Sequence, residues 1–251
     1  MHMIKENAVS GYSNPLIPTV VYEDESVLAV NKPAGLMVHP DGKNTEDTLC
    51  EWLVATYPTI KEVGEPLVLS NGGLIPRPGI VHRIDRWTSG ILLVAKTKKA
   101  HAHLKEQFQN RTIKKEYNTF VFGVVRDDFG TINLPIGRSR GDFRQYTAPP
   151  HARGEMREAE TYYEVLKRGD GYTFLKVQPK TGRTHQIRVH LKAIGHPVVC
   201  DRVYALNRGT ALGFDRLALH ARSITFETLE GNTMTVEAPL PADFEKALLE
   251  L

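Results

Sequence analysis

Residues 79–90 read GIVHRIDRWTSG, and this stretch carries the most informative pattern of the 251-residue chain. The apolar residues predict a strand over residues 79–84, and the Gly at its far end predicts a turn. Side chains of a strand alternate between its two faces, so His82 faces the core while Arg83 and Asp85 share the other face. A carboxylate at a strand end is rigid yet reachable, as a functional group must be, although an Arg–Asp pair that only steadies the turn fits equally well.

A second unusual stretch, QPKTGRTHQIRVHL at residues 178–191, places two Arg and two His around a predicted helix start at Thr184. Ile187, Leu191 and Ile194 form an apolar stripe on that helix, which should end at the Gly–His–Pro that follows. Arg188 borders the stripe, so we expect it to be partly buried and paired with a carboxylate or a phosphate. The alternative is an Arg that extends along the helix surface to solvent.

Strand patterns dominate the rest of the chain. The sequence predicts two strands within residues 20–30, separated by a turn at residues 23–26, further strands over residues 91–95 and 116–125, and a hairpin formed by residues 162–166 and 172–177. It predicts helices at residues 48–55, after a Thr97 cap, and from Ala242, and a mobile loop over residues 138–158. Because no regular βαβ alternation occurs, we expect an α+β fold, with a mainly antiparallel mixed sheet flanked by a few helices.

The charge is unevenly distributed. Residues 96–117 hold seven basic and two acidic residues, whereas residues 223–251 hold one basic and six acidic ones. This distribution fits a chain that offers one face to a polyanion, although a solvated lysine-rich helix gives the same pattern.

Several classes of protein are disfavoured. Nothing approaches the ~20 apolar residues of a membrane helix, and the first residues do not read as a signal peptide. The two cysteines form no CxxC motif, which favours a reducing, cytoplasmic setting. His101-x-His103 is the nearest approach to metal spacing, and helix-surface histidines explain it better, so we expect no metal. The turn around Gly182 lacks the glycines of a phosphate loop.

The motifs together resemble the RluA-like RNA pseudouridine synthases. HRIDRWTSG resembles the signature HRLDxxTSG of that family, with Ile84 in place of the usual Leu. Four other blocks also match, in the same order along the chain: VNKPAGLMVHP (30–40), KKEY (114–117), TGRTHQIRVHL (181–191), and GHP (195–197) with Asp201 and Tyr204. The segment LALHA (217–221) fits as well.

The resemblance implies roles for particular residues. Asp85 would be the catalytic carboxylate, acting at the ribose either as a nucleophile on C1′ or as the base that removes a ribose proton. Arg188 would pair with Asp85 and keep it ionised. Tyr117 would stack on the target base and help to remove the C5 proton, and Arg83 would help to extrude the nucleotide. The other implied RNA contacts are His82, Arg183, His185, Lys98, Lys99, Lys114 and Lys115.

The resemblance also implies a catalytic domain with a central cleft. We expect it to span residues 20–251 after an N-terminal extension at residues 1–19, with no S4 domain. The expected enzyme is a cofactor-free, monomeric isomerase that acts on ribosomal or transfer RNA. Two alternatives remain: a non-catalytic RNA-binding module, which would not need Asp85 or Tyr117, and an aspartate-nucleophile hydrolase. The hydrolase would need a second acid at position 87, where this chain has Trp87.

Overall fold

The computed structural model describes residues 16–40, 47–68, 72–140, 146–149 and 152–251. The helices are α1 (Leu49–Thr56), α2 (Lys98–Gln109), α3 (Gln186–Ala193) and α4 (Ala242–Glu250), and a 3-10 turn covers Pro58–Glu62. The strands are β1 (Thr19–Glu23), β2 (Val27–Lys32), β3 (Leu67–Val68), β4 (Leu74–Ile75), β5 (Ser89–Ala95), β6 (Lys114–Phe122), β7 (Phe129–Asn133), β8 (Ile136–Ser139), β9 (Tyr146–Thr147), β10 (Ala152–Arg157), β11 (Glu160–Arg168), β12 (Tyr172–Pro179), β13 (Leu219–Glu227) and β14 (Thr233–Glu237). In these ranges no helix has the length and apolar character needed to cross a bilayer.

Nine strands form one mixed sheet in the order β1-β2-β5-β13-β6-β12-β11-β7, with β14 paired to β13. Strands β5 and β13 pair in parallel, and the other neighbours in this sheet pair antiparallel. A smaller sheet has the order β10-β8-β9, and β3 pairs with β4. The predicted α+β class and the mainly antiparallel mixed sheet are therefore confirmed.

Two hydrophobic cores lie against different parts of the large sheet. One packs α1 and α2 against β2 and β5, and the other packs α3 and α4 against β6 and β12. Tyr117 on β6 is partly buried against both cores, so its side chain lies at the seam between them. The seam is where a cleft can open without exposing either core.

Gly90 allows the parallel pairing at the centre of the sheet. Its φ is 111°, a conformation that favours glycine, and a Cβ there would lie only 2.7 Å from the backbone nitrogen of Ala221. The close approach of β5 to β13 therefore requires a residue without a side chain. It also fixes the start of β5, and with it the preceding loop that carries Asp85.

The strand predicted at residues 79–84 does not form. Ile80 makes one isolated bridge with Val94, and residues 81–85 have no regular secondary structure. The reason is that Nε2 of His82 accepts the backbone N–H of Leu93 at 2.9 Å. In a continued strand, that N–H would donate to a backbone carbonyl of the neighbouring strand instead.

Ten of the fourteen described residues in the loop predicted at residues 138–158 lie in strands. β8 pairs with both β9 and β10, and Ile136 and Ala148 belong to a small buried cluster with Val189 of α3. Residues 141–145 and 150–151 lie outside the described part of the chain. The prediction was wrong because these strands are polar and short, and their pairing depends on contacts that periodicity does not reveal.

The helix predictions hold except at one start. Thr97 caps α2 by accepting the backbone N–H of Ala100 at 3.1 Å. Helix α3 begins at Gln186 instead of Thr184, and the residue before it, His185, has a left-handed φ of 56°. The side chain of Gln186 ties down the preceding turn, because it accepts hydrogen bonds from the Thr181 hydroxyl and the Arg183 N–H at 2.7 and 2.9 Å.

Candidate active-site cleft

A cleft of about 490 Å³ opens where the two cores meet. It is lined by residues 81–85 and Thr88, the end of α2, the start of β6, the turn at residues 179–185 and the beginning of α3. The three predicted catalytic residues, Asp85, Tyr117 and Arg188, all line it. These three side chains are called the floor of the cleft below.

The loop around Asp85 is held in place from beneath. Lys32 is fully buried, and its Nζ donates to the carbonyls of Pro33, Leu36 and Arg86 at 2.9, 2.8 and 3.0 Å. Burial lowers the pKa of Lys32 to about 7, although the nearby charge of Asp85 acts in the opposite direction. A buried lysine that ties three carbonyls together fixes the turn after Asp85.

Arg188 joins two carboxylates. Its Nη1 donates to Oδ2 of Asp85 at 2.9 Å, while its Nε and Nη2 donate to the two oxygens of Asp201 at 2.7 and 2.8 Å. Burial alone would lower the pKa of Arg188, but the hydrogen bonds to Asp201 and the charge of Asp85 raise it above its ordinary value. The predicted partial burial and carboxylate partner are confirmed, but the two-pronged pair is with Asp201.

His185 also approaches the Asp85 carboxylate. Its Nε2 lies 3.8 Å from Oδ2 of Asp85, and its Nδ1 lies 2.8 Å from the hydroxyl of Tyr204. Burial lowers the pKa of His185, which favours the neutral ring despite the charge of Asp85. The left-handed backbone places the ring here, and such strain in a non-glycine residue is common at functional sites.

Tyr117 supplies an aromatic surface next to the carboxylate. The residue lies on β6, where its backbone is in register with Val177 of β12 on one side and Ala221 of β13 on the other. Burial, and then the charge of Asp85, raise the pKa of Tyr117 above its ordinary value. Its hydroxyl has no hydrogen-bond partner within the described residues, so it remains protonated and available to a ligand.

Five basic residues besides Arg188 line the cleft, namely Arg83, Arg111, Lys115, Lys180 and Arg183, and we call three of them, Arg83, Lys115 and Arg183, the rim. Arg83 is exposed and has no hydrogen bond or ion pair to a described residue. Lys115 makes one long contact, 3.4 Å from Nζ to the carbonyl of Thr181, and burial lowers its pKa to about 8. Arg183 donates to the carbonyl of Glu158 at 2.9 Å. None of the three has a described carboxylate within salt-bridge distance, so each can take a phosphate.

The other predicted RNA contacts are less well placed. Lys98 and Lys99 are exposed on the first turn of α2, whereas the cleft is lined by the last turn of that helix, and Lys114 also lies outside the lining. His82 lines the cleft, but its ring stacks on Phe108 at 4.6 Å. Burial, and then the charge of Lys115, lower the pKa of His82 to about 3, so its ring is neutral.

Sequence reasoning assigned no role to Asp201, which is the best-satisfied carboxylate in the described site. Its side chain has no exposed surface, and besides Arg188 it accepts the backbone N–H groups of Val203 and Tyr204 at 2.9 and 3.0 Å. The signal was present, since Asp201 and Tyr204 belong to the last block of the resemblance.

The arrangement offers a carboxylate with one anchored oxygen. Oδ2 of Asp85 is held by Arg188, and Oδ1 has no partner among the described residues. Such a group can attack an electrophilic carbon or remove a proton, with the Tyr117 ring as a stacking surface beside it. The hydrolase alternative gains no support, because Trp87 is no acid and residues 81–85 form no strand.

The chain is similar to proteins of one family. A family model described as RNA pseudouridylate synthase matches residues 26–193. An uncharacterized RNA pseudouridine synthase of Synechocystis sp. is 39% identical over 233 residues, which make up 92% of this chain and 68% of that protein. The ribosomal large subunit pseudouridine synthase D of Pseudomonas aeruginosa is 41% identical over 237 residues, 90% of this chain and 69% of that protein.

A solved structure shows the same fold. The human RNA pseudouridylate synthase domain containing 1 superposes with a TM-score of 0.71 at 27% sequence identity. The match covers 90% of this chain and 84% of that chain. The similarity therefore extends through both cores and the cleft between them.

Proposed function

The chain belongs to the RNA pseudouridylate synthase family, and we propose that Asp85 is its catalytic carboxylate. Members of the family are isomerases that act on RNA. The observation that carries the assignment of Asp85 is its geometry, with one oxygen held by Arg188 at 2.9 Å inside the cleft and the other without a described partner.

The isomerisation is internally balanced. The N1–C1′ bond of the uridine breaks, the uracil turns over in the cleft, and a C5–C1′ bond forms. The proton on C5 is lost and N1 regains one, so no electrons, water or group donor are consumed. Asp85 acts at the ribose, either as a nucleophile at C1′ or as the base that removes a ribose proton. We therefore propose that the reaction needs no cofactor and no metal.

Two residues support Asp85 in this proposal. Arg188 anchors one oxygen of the carboxylate through a 2.9 Å hydrogen bond and places a positive charge beside it. Tyr117 lines the same cleft and has a protonated hydroxyl, which suits stacking on uracil and a part in removing the C5 proton. Both tasks require the base to enter the cleft.

The target nucleotide must leave its stack to reach this cleft, at a cost of roughly a few kcal/mol. We propose that Arg83 lowers this cost by filling the vacated place or gripping a phosphate. Its exposure beside Asp85 and its lack of a described protein partner support this role. Lys115, Arg183 and His185 would contact the RNA around the flipped nucleotide, and uridines in loops or bulges would be favoured.

The substrate proposed is structured ribosomal RNA, transfer RNA or both. One relative, from Pseudomonas aeruginosa, is named for the large ribosomal subunit. The proposed enzyme acts in the cytoplasm as a monomer, with residues 20–251 as its catalytic domain. The second candidate, an RNA-binding module without catalysis, explains the rim but not the anchored carboxylate on the floor.

The test is to incubate the purified protein with RNA from cells that lack the gene, and to map pseudouridines by position. A short minimal stem-loop is included, with excess EDTA and no added small molecule, so that a folding requirement of the RNA for Mg²⁺ does not interfere. We expect pseudouridine at a small set of uridines in both reactions. Binding without any pseudouridine would support the module instead.

A further inference from the structure

The loop after α3 holds a second carboxylate behind Arg188, and we propose that Asp201 is a positioning residue for catalysis. This inference rests on the proposed role of Asp85. Asp201 lies outside the described lining of the cleft and has no exposed side-chain surface, so it acts through Arg188.

The geometry divides the guanidinium between two tasks. Nε and Nη2 of Arg188 bind both oxygens of Asp201 at 2.7 and 2.8 Å, which leaves Nη1 for Asp85. An Arg facing a single carboxylate tends to form the two-pronged pair with it. Because Asp201 binds Nε and Nη2, Asp85 receives one hydrogen bond from Nη1, and its Oδ1 stays free of described partners and available to the ribose.

Charge leads to the same conclusion. Arg188 carries one positive charge and faces two carboxylates, so the group of three is net negative when all are ionised. Without Asp201, the positive charge of Arg188 would interact with Asp85 alone and make Asp85 a weaker nucleophile or base. Burial of the pair Arg188–Asp201 is tolerated because the two side chains are joined by two hydrogen bonds and Asp201 also accepts two backbone N–H groups.

The same loop also fixes the second group that faces Asp85. Asp201 accepts the N–H of Tyr204 at 3.0 Å, and the Tyr204 hydroxyl lies 2.8 Å from Nδ1 of His185. The Arg188 guanidinium lies over the Tyr204 ring, 4.9 Å from its centroid. The loop of residues 201–204 therefore braces both groups that face the carboxylate.

The experiment compares Asp201→Asn with Asp243→Asn. Asp243 makes the matching two-pronged pair with Arg216, at 2.6 and 2.8 Å, outside the cleft lining. For Asp201→Asn we expect the single-turnover rate to fall by roughly tenfold to a hundredfold, by analogy with the residues that orient metal ligands through hydrogen bonds. The Kd for the RNA should change less than about threefold, because phosphate contacts dominate affinity. Asp243→Asn should leave both values unchanged, whatever it does to thermal stability.

A double-mutant cycle with Arg188→Lys separates positioning from a general structural effect. If Asp201 acts through Arg188, Asp201→Asn should cost little further rate once Arg188→Lys is present. If Asp201→Asn does not fold, Asp201→Glu is used, because it keeps the charge but shifts the carboxylate oxygens relative to Nε and Nη2 of Arg188. A wild-type rate in the folded variant, or full additivity in the cycle, overturns the inference. An active Asp85→Asn enzyme would instead overturn the proposed function itself.

An independent surface feature lies in the turn directly after Asp85. Trp87 is 44% exposed, and the guanidinium carbons of Arg86 and Arg202 lie 5.4 and 5.6 Å from its ring centroid. The turn is fixed, since Gly35 N–H donates to the Arg86 carbonyl and Arg86 Nε donates to the Gly35 carbonyl, both at 2.8 Å. A rigid, exposed indole next to two arginines is a combination suited to stacking a base and neutralising its phosphate.

We infer that Trp87 binds an unpaired nucleotide of the RNA adjacent to the target uridine, on the premise of the proposed function. Trp87 follows Asp85 by two residues, so a nucleotide next to the one in the cleft lies within reach. Trp87 is outside the described lining of the cleft, which makes this a separate contact.

Fluorescence tests this site directly, because the chain has two tryptophans and Trp52 is only 3% exposed. In a Trp52→Phe protein, titration with a 12-residue oligouridylate should quench the emission of Trp87.

Trp87→Leu should weaken binding by about tenfold and Trp87→Phe much less, since phenylalanine still stacks. The control is Phe129→Ala, which removes another exposed aromatic ring. No quenching, or equal Kd values for Trp87→Leu and Phe129→Ala, overturns the site. The proposed function would still stand if the wild type forms pseudouridine.

Discussion

The charged side chains on the floor of the cleft have protein partners, whereas those on the rim have few or none among the described residues. On the floor, Arg188 is buried and hydrogen-bonded to two carboxylates, and Asp85 is anchored through one oxygen. On the rim, Arg83 has no described partner and Lys115 has one long contact to a carbonyl. The difference distinguishes the charged groups that already have a hydrogen-bond partner in the protein from those that are available to bind a ligand.

This contrast has a functional consequence. A charge fixed by the protein is preorganised for chemistry and needs no rearrangement when the substrate arrives. A cation without a protein anion gains a partner only when a phosphate binds, so its contribution appears in affinity. Floor substitutions should therefore lower turnover, and rim substitutions should change RNA binding or extrusion.

The largest effect is expected for Asp85→Asn. The amide keeps the shape but cannot act as an anionic nucleophile or base, so turnover should fall below about a hundredth of the wild-type rate. The Kd for the RNA should stay within a few-fold. Single-turnover pseudouridine formation and a binding titration measure the two quantities. Residual turnover above that level would remove Asp85 from the chemistry.

Arg188→Lys should come next. A lysine keeps the charge, but its single nitrogen cannot bind both oxygens of Asp201 and one of Asp85. We expect turnover to fall by roughly a hundredfold with RNA binding nearly intact. The same two assays decide the outcome. A selective loss of affinity would show that Arg188 belongs functionally to the rim.

Arg83→Ala should produce a defect that depends on the RNA. On a stacked or paired target we expect a rate loss of roughly tenfold or more, because extrusion costs a few kcal/mol. On a variant with the target uridine bulged out, the loss should shrink to a few-fold. Single-turnover rates on the two RNAs measure this ratio. If bulging instead rescues Arg188→Lys, the roles of the two arginines are reversed.

The smallest effect concerns the pH dependence of RNA binding. Burial lowers the pKa of Lys115 to about 8, so its ammonium group is charged below that pH and neutral above it. A phosphate binds the charged form, so affinity should weaken by a few-fold as the pH rises through and beyond 8. Binding titrations from pH 7 to 9.5 measure the effect.

Two variants sharpen this last measurement. Lys115→Arg stays charged throughout and should remove the pH dependence. Changing Lys98 and Lys99 to Ala should leave it intact, because both lie at the far end of α2 from the cleft. A dependence that persists in Lys115→Arg would assign it to another group.

Sequence patterns predicted much of the fold and most of the site. The Thr97 cap, the hairpin of β11 and β12 and the apolar stripe of α3 follow from local spacing, and the structure confirms them. Asp85, Tyr117 and Arg188 were named from motifs, and all three line one cleft. Local rules suffice where a residue's neighbours in space are also its neighbours in sequence.

Local rules failed where a side chain or a distant strand decides the outcome. The strand predicted at residues 79–84 does not form, because the His82 imidazole accepts the backbone N–H of Leu93 in place of a strand carbonyl. Most of the described residues in the range 138–158 lie in strands, because β8 pairs with β9 and β10. Neither event leaves a periodic pattern in the sequence.

The sequence by itself determined the family, the α+β class and the identity of the floor residues, because these depend on residue type and order. Only the tertiary structure decided that Arg188 is shared between Asp85, 103 residues away, and Asp201, 13 residues away. It also decided which lysines of a basic segment line the cleft. Both depend on three-dimensional packing, in which a hydrogen bond is set by distance and direction, and the order of residues along the chain fixes neither.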